Sequence, residues 1–245
     1  MNKNVLITGG SSGIGRATVF RLCEEGYRVI TCGRSLNRLN KLKKELLSEG
    51  FKIFPFVVDL KDEESIINLF KEIENQFGVL DVLINAAAIG YKAPISSSSS
   101  DLWSEMLSVN ILALCICSRE MIKSLNIANS KGHIVNISSL SGHRIGAESG
   151  IYEATKFSVT VITESLRREL LSTHGRIKVA QISPGLTKTN FHDNYYDGSK
   201  EAELIYSQFK PLEASNIADA VMYVLSQPDN VQVNDILLRP VGQSL

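Results

Sequence analysis

Short apolar runs alternate with helix-length segments from one end of the chain to the other, and this alternation leaves few architectures open. Repeated strand-then-helix units build a parallel sheet with helices on both faces. Val5 to Thr8 reads as the first strand; a Gly-rich turn follows, then a helix from about Ile14 to Glu25 that Gly26 stops. Further strands are expected over 28–32, 52–58, 79–85, 132–138, 177–183 and 235–238. Helices are expected over 35–49, 63–77, 103–125, 152–171, from about Gly198 to 209, and over 217–226, with an irregular stretch after Pro184-Gly185. Pro55 lies inside the third strand, and proline cannot donate to a ladder, so that strand belongs at an edge. No linker or repeat divides the 245 residues. The expectation is one α/β domain over 1–245, a doubly wound parallel sheet of about seven strands.

The first turn, Thr8-Gly9-Gly10-Ser11-Ser12-Gly13-Ile14-Gly15, joins a strand to a helix. Free N–H groups at a helix start attract a pyrophosphate. Glycine serves the tight turn at Gly9, close ligand approach at Gly13 and helix packing at Gly15. The end of the second strand sets the choice between dinucleotides: a carboxylate there accepts from a ribose hydroxyl, while an arginine matches a 2′-phosphate. This chain has Cys32-Gly33-Arg34 and no acid in reach, which selects NADP(H), with Arg34 and one of Ser11 and Ser12 on the phosphate.

The second constellation is Tyr152 and Lys156, preceded by Ser139 at the end of a strand. On a helix, positions i and i+4 share a face. A cation ~5 Å from a phenol favours its ionised form by roughly 3 kcal/mol at an effective dielectric of ~20, which brings it towards useful acid-base chemistry. The stretch alone equally suits a buried tyrosine beside an ordinary surface lysine. Ser183, Tyr196 and Lys200 repeat the spacing, but Asp197-Gly198 between the last two is a turn dipeptide.

Taken together these segments resemble the short-chain dehydrogenase/reductase family over nearly the whole chain. The glycine turn is similar to that family's cofactor turn, and Asp59 to its adenine-contacting aspartate. Asn85, Asn110, Ser139, Tyr152 and Lys156 match its other motifs in order, and Pro184-Gly185 with Thr189 matches its Pro-Gly-x-x-x-Thr segment. The resemblance implies a Rossmann-type fold and a cofactor contacted along the turn, Ile14 included. It implies that Tyr152 exchanges the proton, Ser139 polarises the substrate oxygen, and Lys156 binds the nicotinamide ribose and lowers the tyrosine pKa. Asn110 would then hold a water path, and Pro184, Gly185 and Thr189 would seat the nicotinamide. One departure is Asn85-Ala86-Ala87-Ala88, where the family has a glycine in place of Ala88.

Within that family, Ser141-Gly142-His143-Arg144 and the tail Val233 to Pro240 are similar to the NADP-dependent branch acting on 3-hydroxy acids, small ketones or steroid-like ketones. The implied reaction interconverts a ketone and a secondary alcohol. A 3-oxoacyl-carrier-protein reductase is the alternative, although its Gly-Gly ending is absent. A non-catalytic dinucleotide sensor or scaffold is the other, although such relatives usually lose the tyrosine or lysine. The pocket is expected between 89–93, 143–147 and a lid at about 186–210, with Phe191, Tyr195, Tyr196, Tyr206 and Phe209 making it partly apolar. His143 and Arg144 are open to a substrate carboxylate or to a plain exposed turn.

Composition narrows the partners. Formal net charge is zero, so bulk charge steers the chain to neither nucleic acid nor membrane. The N-terminal apolar run is too short for a membrane span or a signal core, which gives a cytoplasmic expectation. The four cysteines, Cys23, Cys32, Cys115 and Cys117, lack metal or redox spacing and read as reduced core thiols, and no metal site is expected. The segment Val109 to Cys117 is apolar nearly all round, and by the resemblance it pairs with a second copy in a homodimer or homotetramer.

Overall fold

Along the first strand, β1 (Asn4–Thr8), Val5 and Ile7 pack into one core and Leu6 into another, and none has accessible surface. Such a strand is covered on both sides. The computed structural model describes residues 3–146, 150–173, 175–196, 198–207 and 209–243. Ala147 of the expected pocket wall and Asp197 of the expected turn lie outside the described residues.

The remaining sheet strands are β2 (Arg28–Gly33), β3 (Ile53–Val57), β4 (Val82–Asn85), β5 (Gly132–Ile137), β6 (Ile177–Pro184) and β9 (Asp235–Leu238). All pairs are parallel, and the order is β3-β2-β1-β4-β5-β6-β9. β3, with Pro55, is indeed at an edge. The chain reverses its direction of travel across the sheet between β1 and β4, and that reversal opens a crevice at the carboxyl ends of those strands.

One face is covered by α1 (Gly13–Glu24), α2 (Leu36–Ser48) and α9 (Ala214–Ser226), through Val19, Leu22, Leu42, Leu46, Ile217 and Val221. The other is covered by α3 (Glu63–Phe77) and α5 (Ala113–Ile127), through Ile66, Phe70, Ile116, Met121 and Leu125. α6 (Ile151–Glu169) lies beside β6 on that face and ends in a 3₁₀ turn, Leu170–Thr173.

The helix expected over 103–125 begins earlier, at α4 (Ser100–Leu107), where Ser99 Oγ accepts from the Asp101 N–H at 3.2 Å. It runs through a π turn, Ser108–Leu112, into α5. This stretch is long and apolar enough to cross a bilayer by length and composition, yet its inner side packs on the sheet through Ala113, Ile116 and Cys117. Its outer side leaves Leu107 and Leu112 exposed. Cys115 also faces partly outward, so three of the four cysteines, not all, are core thiols.

The stretch after Pro184-Gly185 is more ordered than expected. β7 (Thr187–Lys188) pairs in parallel with β8 (Leu212–Glu213), and α7 (Phe191–Tyr195) and α8 (Ser199–Tyr206) lie between them. The Tyr206 hydroxyl donates to the Thr189 carbonyl at 3.1 Å, tying α8 back to the loop after β7.

Candidate active site

The crevice between β1 and β4 is closed at its base by Thr8, whose Oγ1 accepts from the N–H groups of Ala86 and Ala87 at 3.1 Å each. Gly9 sits at φ 71°, in the left-handed region, and a side chain there would meet Ala87 Cα at 2.8 Å. Gly13 opens α1 at φ 49°, and a Cβ on it would lie 3.3 Å from Thr189 Cβ. A Cβ on Gly15 would collide with the Gly9 backbone. Ser12 is the N-cap residue but makes no capping bond, and no carboxylate lies in the first turn. The N–H groups of that turn are therefore left without a side-chain cap from Ser12, and helix-start N–H groups in that state suit a pyrophosphate.

The outer residues extend this cradle. Ser11 Oγ would be 3.4 Å from a Cβ on Gly33, which places it beside the end of β2. The exposed Arg34 follows, its Nη1 3.5 Å from Glu105 Oε1. Asp59, exposed after β3, turns its own loop by accepting from the Lys61 N–H at 3.0 Å. Ile14 packs partly into the core below. Thr189 crosses over Gly13, so the Pro184-Gly185 segment and the glycine turn do meet. Gly185 is fixed by donating to the Leu238 carbonyl at 2.7 Å.

Two residues expected to serve the cofactor or the reaction are engaged as braces. The Asn85 amide nitrogen donates to Asn136 Oδ1 at 2.9 Å and to Ser118 Oγ at 3.2 Å, so its side chain ties β4 to β5 and α5. Asn110 sits in the π turn, a widening often found at functional sites. Its Oδ1 accepts from Ile89 N–H at 2.9 Å, and its Nδ2 donates to the Ile89 carbonyl and to Thr155 Oγ1. It therefore clamps the loop after β4 to α6.

Tyr152 stands in the first turn of α6, with 8% of its surface exposed. Its ring lies 5.3 Å from Phe191 and 5.6 Å from Tyr195. Ile89, Tyr91, Trp103 and Met106 complete the apolar wall. Lys156 Nζ is 5.9 Å from the Tyr152 ring centre and donates to the Ile137 carbonyl at 3.1 Å. Lys156 is almost wholly buried, which lowers its pKa to about 8. Ser139 caps the short 3₁₀ turn Leu140–Gly142, accepting from the Ser141 N–H at 3.1 Å.

The phenol departs from expectation in one respect. Burial raises the Tyr152 pKa well above its usual value, and the hydrogen bond from Ser139 is the effect that opposes the rise. The reason is geometric: desolvation acts on the whole buried ring, and the Lys156 ammonium, 5.9 Å from the ring centre, does not offset it. Tyr152 is thus held in its neutral, proton-carrying form. Tyrosine, serine and lysine do converge as expected. The repeat of their spacing does not, because Ser183 Oγ donates to Asp235 at 2.8 Å and Tyr196 stacks on His192.

The His143 ring is turned away from a substrate carboxylate, whereas Arg144 stays exposed. The His143 ring faces Ser183 and Asp235, and Arg144 Nη1 donates to the His143 carbonyl at 2.9 Å. Ile89 and Tyr91 fall in the 89–93 wall expected from the sequence, whereas Trp103 and Met106 were not foreseen there; they are separated from Tyr152 along the chain, and their aromatic or apolar character was the only signal.

The family model for the short chain dehydrogenases matches residues 3–200. The chain is 40% identical over 244 residues to the mouse protein named Dehydrogenase/reductase SDR family member 11, covering 97% of this chain and 94% of that one. It is 35% identical over 245 residues to the farnesol dehydrogenase of Aedes aegypti, covering 98% and 97%. The closed form of a serine dehydrogenase complexed with NADP+ superposes with a TM-score of 0.92 at 29% identity, covering 99% and 96%. Fold, cradle and relatives agree, and the chain belongs to the short-chain dehydrogenase/reductase family.

Proposed function

We propose that the chain is an NADP(H)-dependent oxidoreductase that interconverts an apolar ketone and its secondary alcohol, with Tyr152 as the general acid and base. The observation that carries this is the convergence of a neutral buried phenol, the Ser139 hydroxyl and the buried Lys156 cation beside the glycine cradle. NADPH, when bound, supplies the hydride. Ser139 polarises the substrate oxygen, and Tyr152 gives it a proton from Oη and recovers one in the reverse direction. Lys156 keeps a positive charge below pH ~8 and lightens the cost of the transient phenolate. Arg34 and Ser11 suit a 2′-phosphate, which agrees with the NADP+ named for the serine dehydrogenase relative.

The aromatic wall around Tyr152 favours an apolar substrate, and a relative named for farnesol, an apolar alcohol, supports the same class. The test is NADPH oxidation with apolar ketones, diketones, β-keto esters, steroids and acyl thioesters. Apolar ketones are expected to give the highest kcat/KM. Preference for acyl thioesters would favour a 3-oxoacyl reductase, and tight NADPH binding with no turnover across the panel would favour a dinucleotide sensor.

Self-association is part of the proposal. Leu107 and Leu112 on the α4–α5 helix and Phe157 and Val161 on α6 are exposed apolar side chains on two long helices. A homodimer or homotetramer that pairs these helices would cover them. Light scattering at micromolar protein is expected to report a dimer or larger; a monomer would reject it.

A further inference from the structure

Behind the Ser139 turn lies a polar cluster that the proposed reaction does not use. His143 Nε2 is 3.0 Å from Ser183 Oγ and 3.0 Å from Asp235 Oδ2. Ser183 Oγ donates to the other carboxylate oxygen, Asp235 Oδ1, at 2.8 Å. Gln181 Nε2 lies 2.9 Å from Ser183 Oγ, 3.2 Å from Asp235 Oδ2 and 3.1 Å from Thr160 Oγ1. Thr160 in turn donates to the Gly142 carbonyl at 3.3 Å. Gln181 and Ser183 are buried, while His143 and Asp235 keep a partly exposed edge.

The residue types suggest a hydrolytic triad, and the geometry excludes one. In a triad the imidazole presents opposite nitrogens to the serine and the carboxylate. Here one nitrogen faces both, the serine proton goes to the carboxylate, and Ser183 has no accessible surface. The cluster therefore holds rather than reacts.

What it holds is the turn that carries Ser139. The Gly142 N–H donates to the Ser139 carbonyl at 2.9 Å, and the N–H groups of His143 and Arg144 donate to the Leu140 carbonyl at 3.0 and 3.1 Å. These bonds make 139–144 one stiff unit, so a shift of His143 is a shift of Ser139. Its upstream end is fixed by β5. Its downstream end is tied by Thr160 at the Gly142 carbonyl and by the imidazole, which reaches 40 residues along the chain to β6 and onward to the first residue of β9. The Ser139 hydroxyl needs such fixing, because hydrogen bonds to a reacting oxygen lose their effect when donor positions drift by about 1 Å.

We propose that His143 is a positioning residue for Ser139, anchored on Asp235 and Ser183. This rests on the role given above to Ser139. The experiment compares wild type with His143→Ala, His143→Gln, Ser139→Ala and the Ser139→Ala/His143→Ala double variant. Glutamine places an amide nitrogen near the position of the imidazole Nε2 and restores a hydrogen-bonding atom without the ring. His143→Ala is expected to lower ketone-reduction kcat roughly tenfold or more with little change in NADPH affinity, and His143→Gln to recover most of it. In the Ser139→Ala background, His143→Ala is expected to cost nothing further, since the hydroxyl it positions is gone. Unchanged kcat in His143→Ala, or the same loss with and without Ser139, overturns the proposal.

Amide hydrogen exchange supplies a readout that does not depend on turnover. In His143→Ala the amides of Gly142, His143 and Arg144 should exchange faster, and in His143→Gln they should stay protected. Should wild type bind NADPH and reduce no ketone, the functional reading fails, while exchange still decides whether the tether exists. Unchanged exchange in His143→Ala overturns the tether itself. Asp235→Asn, which keeps the shape and weakens the anchor, should shift both readouts in the same direction as His143→Ala; no shift counts against it.

Discussion

Replacing Tyr152 with phenylalanine should lower ketone reduction by about 10³-fold, within the range by which a positioned acid or base accelerates a reaction, while NADPH binding is retained. The substitution removes one oxygen and leaves the ring, so the contacts with Phe191 and Tyr195 at 5.3 and 5.6 Å survive. The glycine cradle, Arg34 and Thr189 are untouched. Burial is what makes the phenol fit for this work. It holds the proton on Oη at neutral pH, and only a reacting oxygen polarised by Ser139 draws it off. Stability should change by about 1 kcal/mol or less, since one hydrogen bond is lost and no cavity of side-chain size opens. NADPH fluorescence titration and steady-state kinetics on both proteins check this. Turnover within tenfold of wild type would remove Tyr152 from the chemistry, and lost NADPH binding would assign it to the cofactor instead.

How far all this could be read in advance depended on the range of the interaction concerned. β9 was legible to the residue as Asp235–Leu238, because its apolar run is bounded by polar chain on both sides. Pro55 placed β3 at the sheet edge by an argument that needs one residue. The glycine turn was legible because glycine is demanded locally, at φ 71° and 49°. The π turn at Asn110 was not, since its five residues carry the same helical pattern as their neighbours and the clamp between Asn110 and Ile89 joins residues 21 apart. α7 is five residues of mixed aromatic and polar type, too short to display a period. The His143 cluster joins the turn after β5 to β6, β9 and α6, and no spacing along the chain announces it. The direction of the Tyr152 shift depended on burial by Phe191 and Tyr195, which only the folded chain brings near.

Lys156 carries the other large expectation, and it joins function to stability with opposite signs. Lys156 is 3% exposed, and the Ile137 carbonyl at 3.1 Å is the one hydrogen-bond acceptor of its ammonium among the described residues. Its pKa is lowered from 10.5 to about 8, a difference of ~3 kcal/mol in an order-of-magnitude sense. Below pH 8 both the folded and the unfolded chain hold the proton, so the folded state carries the full cost of burying the charge. Between 8 and 10.5 the unfolded chain binds more protons than the folded one, so this contribution rises with pH and the penalty fades. Lys156→Met keeps the length of the stem and removes the charge. It should abolish most turnover, by about 10²-fold or more if the phenol has lost its cation, and yet raise the melting temperature of the ligand-free protein at pH 7. The gain falls short of the whole penalty, because the Ile137 carbonyl loses a donor at a cost of roughly 1–2 kcal/mol. The advantage over wild type should shrink as pH rises from 8 towards 10.5. Taking the difference between the two proteins cancels the buried thiols Cys23 and Cys32, whose raised pKa values act oppositely in the alkaline range. Thermal melts at several pH values decide it. A variant that is less stable than wild type at pH 7 and stays so at pH 10 would mean that the ammonium is stabilised by its surroundings, and that its burial is not a cost the fold bears for the sake of the reaction.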